Sequence, residues 1–272
     1  WQGWKYQSWY LGNPHFVAGN FFANFREDVH SFPNSHVNPG DREIIRWFGS
    51  MDYGAAMPNC FHLHGEDSYG DCYTFEEVHT MGLTIAENSA EIKDAIALHN
   101  LMPGDLEFVA VGHDVLKTDR QSNKDGSTVF TEYGENGIEL TAVKVDRASA
   151  WSQMLERLGN PDKGIRPTWY IHKKCHHLLE QVKTAQVDEK KPDDIVKQNA
   201  DRETGDGGSD ALEGARNGLV LAYSGGLENA RAIQMGSFQS AYQQPKEQEY
   251  IDVDAEILEC ERLDREKRGI FV

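Results

Sequence analysis

Asp52 closes an apolar, strand-like run that begins at Arg46 and passes through Trp47, Phe48 and Met51, and Tyr53 and Gly54 follow it at once. A carboxylate at the mouth of a strand, backed by glycine, suits a metal ligand, although the ordinary role of a lone aspartate before glycine is to cap a turn. Two more aspartates in comparable settings shift the balance. The run Leu106–Gly112 ends at His113 and Asp114, and Asp210 opens an apolar segment after Gly207 and Gly208. Carboxylates gathered in this way hold hard divalent cations, Mg²⁺ or Mn²⁺, and the cation offsets their charge when a phosphate approaches.

For three such residues to meet, the chain must bring two strand ends and a helix start together. Residues 44–52 read as a strand, Asn59–His64 alternates apolar and polar positions, a turn spans Gly65–Gly70, and Asp71–His79 reads as a third strand. This is the pattern of an antiparallel meander. Thr84 with Glu87 three residues on forms a capping box for a helix reaching about His99, which Pro103 and Gly104 break. The run Leu106–Gly112 is nearly continuously apolar, broken only by Glu107, as expected of a strand buried on both faces. A polar loop at Thr118–Gly126 leads to a helix at Ser127–Glu135 that Gly137 stops. Then follow a strand at Ile138–Val145, a helix at Arg147–Leu158, a short strand at Thr168–His172 and a helix at Lys173–Val182. The polar stretch Asp188–Gly208 reads as a mobile loop before a helix at Ser209–Tyr223. Three antiparallel strands, a helix, a buried parallel strand, a helix and another strand give the order of a ribonuclease-H-like α/β fold, a mixed sheet flanked by helices. That order sets the ends of the first and fourth strands side by side, with Asp52 on one and Asp114 on the other.

With 272 residues the chain can bury one sizeable core. A formal charge of −17 argues against coating nucleic acid by bulk electrostatics, but leaves room for an enzyme that meets DNA through a local patch. No run of about 18 apolar residues is present, so no membrane-spanning helix is expected. The chain opens on Trp1 and shows no basic-then-apolar leader, which reads as a fragment without a signal peptide. Cys60, Cys72, Cys175 and Cys260 follow no pairing pattern and suit reduced thiols in a cytoplasm.

Several of these segments together resemble the nuclease domain of tailed-phage terminase large subunits. Gly49 to Gly54, then Pro58, then Tyr73 to Glu77, and Gly82, Leu83 and Thr84 are similar to that family's strand ending in Asp-x-Gly, its hairpin ending in an acidic residue, and its Gly-Leu-Thr-like helix entry. Asp114 matches the family's second catalytic aspartate, and Asp210, Ala211 and Leu212 match its third, Asp-Ala-Leu motif. Leu140–Trp151 resembles its strand-to-helix segment, and the likeness runs over about residues 10–222. Where the family often carries histidine in the third motif this chain has Gly207, so an auxiliary ligand or proton shuttle is expected to be missing there. No phosphate-binding loop occurs, which the resemblance explains by an ATPase domain upstream of this chain.

The resemblance implies a metal-dependent endonuclease that cuts concatemeric double-stranded DNA during viral genome packaging, in the cytoplasm of an infected bacterium. Two ions about 3.5–4 Å apart would stabilise both the attacking and the leaving oxygen of phosphodiester hydrolysis. Asp52 is then the expected bridging ligand, and Asp114 and Asp210 ligands of one ion each. Glu77 or Asp206 are auxiliary candidates, Glu77 being preferred to Glu76 because simple alternation sets it on the face of Phe75. His113 is a candidate proton carrier, its ordinary role being a structural hydrogen bond. Lys117, Arg120 and Lys124 follow Asp114 and could carry positive charge to DNA, or form a solvated loop.

His172, Cys175, His176 and His177 look like a zinc cluster, yet no second pair completes tetrahedral spacing. With Lys173 and Lys174 the stretch reads as a polar helix edge that could touch DNA phosphates. Residues 1–42 read as a connector from the upstream ATPase domain, 43–223 as the nuclease domain and 224–272 as an acidic tail. The resemblance suggests the portal protein as the tail's partner and the small terminase subunit as a further one. Two other readings stay open: a ribonuclease-H-like resolvase or integrase, and a non-catalytic DNA or capsid adaptor that kept the fold.

Overall fold

The first strand of the meander, β2 (Ile44–Asp52), lies at the centre of everything that follows; the computed structural model describes residues 19–33, 42–54, 57–116, 128–144 and 146–223. All of these fall in the first of two compact units, Trp1–Gln234 and Met235–Val272. β2 pairs antiparallel with β3 (Asn59–Asp67), and β3 with β4 (Cys72–Thr80), so the expected meander is present. β3 is longer than its alternation suggests, because pairing continues through Gly65 to Asp67 and confines the turn to the next three residues. On the other side of β2 lie β5 (Val109–Gly112) and β6 (Leu140–Val143), both parallel. β7 (Trp169–His172) adds parallel to β4, and β1 (Ser31–Phe32) parallel to β7. The seven strands run β1-β7-β4-β3-β2-β5-β6, a mixed sheet of ribonuclease-H-like order.

The helices cover both faces, and alternation along β2 and β3 decides which side chain meets which layer. Phe48, Cys60 and Ala110 face α4 (Arg147–Leu158), α5 (His176–Thr184) and α6 (Asp210–Tyr223), where they pack with Trp151, Leu178 and Leu212. Met51, Phe61 and Val111 face α2 (Ile85–Ala97) and α3 (Val129–Glu135) and pack with Ile92, Ile96 and Tyr133. A four-residue turn, α1 (Glu27–His30), leads into β1, and Phe22 and Phe25 join the first of these cores. The Thr84 capping box forms: Glu87 Oε2 accepts from the Thr84 amide at 2.8 Å and Thr84 Oγ1 accepts from the Glu87 amide at 3.3 Å.

Two elements differ from expectation. The polar stretch after Asp188 is built, not loose: β8 (Val187–Asp188) and β9 (Lys191–Ile195) form a hairpin. Asp194 anchors it, accepting from Arg147 Nε at 3.1 Å and from Trp151 Nε1 at 2.8 Å. The helix expected from Lys173 starts at His176, because Cys175 caps it and the preceding residues turn out of β7. The loop at Thr118–Gly126 and the acidic tail lie outside the described residues, and no described helix is long and apolar enough to cross a membrane.

Candidate active site

Asp52 shares the face of Phe48 and Ser50, so its carboxylate points toward α6. Pairing of Met51 with Val111 aligns the ends of β2 and β5, and two residues past β5 the chain reaches Asp114 in a 3₁₀ turn, His113–Leu116. What brings α6 down onto this edge is a pair of glycines one turn apart. A Cβ on Gly214 would stand 3.1 Å from the Asp52 amide nitrogen and 3.3 Å from the Cys60 carbonyl oxygen, and one on Gly218 would stand 2.5 Å from Ser50 Cβ. Asn217 ties the contact by donating from Nδ2 to the Met51 carbonyl at 3.1 Å. The first turn of α6 therefore delivers Asp210 and Glu213 beside Asp52. Burial pushes the Asp52 carboxyl up to about 7, and the charges of Glu213, Asp114 and Asp210 add to the shift while Lys197 opposes it. A buried acid surrounded by like charge is relieved by a bound cation.

Asp210 is itself held from two sides. His79 Nε2 lies 2.6 Å from its Oδ2, and Gln181 Nε2 donates to Oδ1 at 3.4 Å while Gln181 Oε1 accepts from the Leu212 amide at 2.9 Å. The His79 ring stacks on His177, with centroids 3.7 Å apart. Glu213 pairs with Arg147 and with Arg216, and both guanidinium groups lie over Trp151. The groups whose charges act on Asp52 from Glu213, Asp114 and Asp210 are all carboxylates, the ligand type of a hard divalent cation.

Comparison with solved structures adds the decisive likeness. A large terminase from a thermophilic bacteriophage, in complex with ADP, superposes with a TM-score of 0.55 at 18% identity, over 75% of this chain and 44% of that one. The nuclease domain of the P22 large terminase superposes with a TM-score of 0.52 at 15% identity, over 74% of this chain and 90% of that domain. The fold is that of the terminase nuclease domain. This chain thus spans less than half of the thermophilic phage protein and nearly all of the P22 nuclease domain. No protein-family model and no curated protein matches the sequence.

Within the terminase-nuclease fold the sequence candidates separate into groups. Asp52, Asp114 and Asp210 come together at one edge of the sheet. Glu77 stands apart as a structural carboxylate. Its Oε1 accepts from the His177 amide and lies 3.0 Å from His177 Nδ1, and its Oε2 accepts from the Leu178 amide at 2.8 Å, at the start of α5. Burial disfavours the Glu77 carboxylate, and the hydrogen bonds from His177, His62 and Leu178 outweigh it, holding the group well below the usual range. Glu77 also does not share the face of Phe75. A β-bulge shifts the register between Leu63 and His64, so Phe75 and Glu76 both reach His99, while Thr74 and Glu77 meet His64 and His62. Asp206 is exposed, with His177 Nε2 4.0 Å from its Oδ1.

His113 is exposed beside Asp114. Lys174 pairs with Glu76, and Lys173 contributes its amide to the Phe32 carbonyl. The four residues that resemble a zinc cluster do not converge: Cys175 is buried, His172 Nδ1 accepts from the Lys174 amide at 3.1 Å, and His177 serves Glu77. Lys117, Arg120 and Lys124 lie outside the described residues. Sequence reading missed His79, Gln181, Asn217, Lys197 and Glu213. Two of them carried a signal: Glu213 is three residues after Asp210 on the same helix side, and His79 is two after Glu77 on the same strand face.

Proposed function

We propose that this chain is the metal-dependent endonuclease of a viral genome-packaging terminase, cutting concatemeric double-stranded DNA. The observation that carries the reading is the proximity of Asp114 and Asp210 to Asp52 at one sheet edge, with the Asp52 carboxyl raised to about 7 by burial and by the charges of Glu213, Asp114 and Asp210. These three carboxylates would hold Mg²⁺ or Mn²⁺. Two bound ions supply Lewis-acid stabilisation of the attacking and leaving oxygens of a phosphodiester. The chain's own residues do the positioning. His79 and Gln181 fix the rotamer of Asp210, so that its carboxylate meets the ions without first reorganising. Arg147 and Arg216 hold Glu213 in place and compensate its charge. Lys197, whose charge already acts on Asp52, is suited to meet a substrate phosphate, and Lys117, Arg120 and Lys124 are proposed to extend that contact.

In this role the partners are double-stranded DNA, an ATPase domain upstream, the small terminase subunit and the portal, and the place is the cytoplasm of an infected bacterium. Residues 1–42 serve as connector, 43–223 as nuclease and 224–272 as portal-binding tail. Portal pulled down equally well by a chain ending at Tyr223 would remove the tail assignment. The central test is plasmid cleavage by the chain with Mn²⁺, Mg²⁺ or EDTA, beside folded Asp52→Ala, Asp114→Ala and Asp210→Ala variants. Metal-dependent nicking that falls by about 10³-fold or more in each variant, roughly 4 kcal/mol of lost transition-state stabilisation, is the expected result. Cleavage unchanged in all three would overturn the site, and a marked preference for branched DNA would favour a resolvase instead.

A further inference from the structure

Behind the carboxylate edge, on the same sheet face, lies a second group of ligand-type side chains that the nuclease reading does not use. Cys60 and His62 are two residues apart on β3 and so point the same way, and Glu77 is the β4 partner directly opposite His62. All three side chains are sealed from solvent: Cys60 and His62 are fully buried and the Glu77 side chain is 3% exposed. Cys60 Sγ lies 3.7 Å from His62 Nε2, and His62 Nε2 lies 3.4 Å from Glu77 Oε2.

Those separations are poor for hydrogen bonds. An imidazole beside a carboxylate normally closes to about 2.7–2.9 Å, as His79 does on Asp210 at 2.6 Å. They are, however, close to two edges of a coordination tetrahedron, and all three ligand atoms lie within 4.8 Å of one another. With metal–sulfur and metal–nitrogen or metal–oxygen bonds of about 2.3 and 2.0 Å, tetrahedral angles set S···N about 3.5 Å and N···O about 3.3 Å apart. The carboxylate is also oriented for this. Its Oε1 faces the His177 amide and ring and its Oε2 accepts the Leu178 amide, which leaves one lone pair of Oε2 toward His62 and Cys60. Such outer hydrogen bonds on a ligating carboxylate are what fix a metal site in place.

We propose that Cys60, His62 and Glu77 bind a borderline-soft divalent ion of the zinc class, a structural site distinct from the all-oxygen cluster at Asp52, with a water or the neighbouring Cys175 thiol in the fourth position. The donor set decides the class: thiolate and imidazole select zinc or cobalt over magnesium. Burial first, then the charges of Glu77, Asp210 and Asp52, keeps the Cys60 thiol protonated in the free chain, so uptake releases a proton. The site would pin β3 to β4, and through Glu77 to the start of α5, just behind the strand edge that carries Asp52.

The test uses the full chain with Asp52→Asn, Asp114→Asn and Asp210→Asn together, so that the carboxylate edge cannot contribute and the nuclease reading stands or falls separately. After treatment with EDTA, titration with Co²⁺ is expected to give one bound ion with thiolate-to-cobalt charge-transfer absorption, displaced by Zn²⁺. Cys60→Ser in that background removes the absorption, and Cys72→Ser, which lacks a thiol outside the group, keeps it. Should Cys60→Ser fail to fold, alkylation of the unsubstituted thiols serves instead, with Zn²⁺ protecting Cys60 and leaving Cys72 unaffected. No charge-transfer band, a band of undiminished intensity in Cys60→Ser, or equal alkylation with and without Zn²⁺ would overturn the proposal.

Discussion

Both ends of the β2–β3 ladder gather aspartates, and they treat them in opposite ways: Asp67 and Asp71 are fully buried at one, while at the other Asp210 is buried, Asp52 half-buried and Asp114 exposed. At the end where Ile44 pairs with Asp67, Asp67 and Asp71 are fully buried and completely paired. Arg42 Nη1 donates to Asp67 at 2.7 Å and to Asp71 at 2.9 Å, Arg166 Nη1 donates to both oxygens of Asp71, and Tyr73 donates to Asp67 at 3.0 Å. Burial disfavours the Asp67 carboxylate, but the Arg42, Asp71-amide, Tyr69-amide and Tyr73 hydrogen bonds prevail and leave it below its ordinary value. At the end where Asp52 pairs with Cys60, the balance is reversed and the Asp52 carboxyl rises to about 7. The difference separates carboxylates that the fold uses from carboxylates that it keeps available. That contrast, two buried aspartates surrounded by arginines at one end and three aspartates without arginines at the other, is what supports the cation site proposed at Asp52.

The largest effect is expected at the paired end. Asp71→Ala removes three charge-assisted hydrogen bonds to a buried carboxylate, each worth about 1.5–3 kcal/mol, and leaves Arg42 with Asp67 and Arg166 to solvent. Urea unfolding should show that loss, while nicking per folded molecule stays close to that of the parent chain. Equal stability would mean that solvent, through the exposed Arg166, already compensates the pair.

Asp52→Asn should act in the opposite direction. The folded carboxyl keeps its proton up to about 7 and the unfolded one only to about 3.8, so between those values the folded state binds more protons. Stability of the parent in EDTA then falls as pH rises through that window and levels off above it. The variant escapes that fall, and above pH 7 it should exceed the parent by roughly 4 kcal/mol, with the gap closing near pH 4. Unfolding curves across that range in EDTA check it, and added Mg²⁺ should narrow the gap by stabilising only the parent. A variant less stable than the parent at pH 8 would mean that the cluster is already compensated.

The same contrast explains what could be read in the sequence. Asp52 and Asp114 are legible because both end apolar strands, and strand ends are where an α/β sheet presents side chains to a ligand. The helix Arg147–Leu158 is legible to the residue, because Asp146 caps it, accepting from the Ser149 amide, and Gly159 ends it. What escaped depends on long-range contact. The β8–β9 hairpin carries charged residues such as Lys191 and Asp193 on exposed positions and has no apolar alternation; Asp194 finds its partners on α4, 47 residues earlier. The face of Glu77 was misread because one extra residue at the Phe75 bulge reverses alternation beyond it. The strand-face position of His79, two residues after Glu77, did not name its use, since its partner Asp210 lies 131 residues on. An imidazole does reach Asp210, from β4 rather than from position 207.

Smaller effects test how the open cluster is held together without ion pairs. Close packing of α6 does that work, so Gly218→Ala, with its Cβ 2.5 Å from Ser50 Cβ, should lift the helix and cost a net of about 1–2 kcal/mol after the gain in helix propensity. Nicking should fall with it, because Asp210 moves with the helix. Gly134→Ala on α3 is the control: nothing lies within 4 Å of the added Cβ, so it should gain about 0.5–1 kcal/mol and leave nicking unchanged. Similar losses at both positions would show that backbone conformation, not close approach, requires these glycines.

The smallest effect falls on His79, which reaches the site only through Asp210. His79→Ala leaves the Asp210 carboxylate with Gln181 and free to rotate, and loss of such an outer partner typically weakens metal affinity or activity about tenfold or somewhat more. Stability should change little, since the His177 ring that stacks on His79 keeps its own bonds to Glu77. The informative measurement is nicking rate against Mn²⁺ concentration. A positioning role predicts that the half-saturating concentration rises while the rate at saturation approaches the parent's, and His79→Gln, which can still donate to Asp210, recovers part of the loss. A rate at saturation that stays depressed by about 10³-fold in both variants would instead make His79 a participant in the chemistry. That outcome would move it from the supporting strand into the same group as Asp52, Asp114 and Asp210, and the contrast between the two ends of the ladder would then rest on four open groups rather than three.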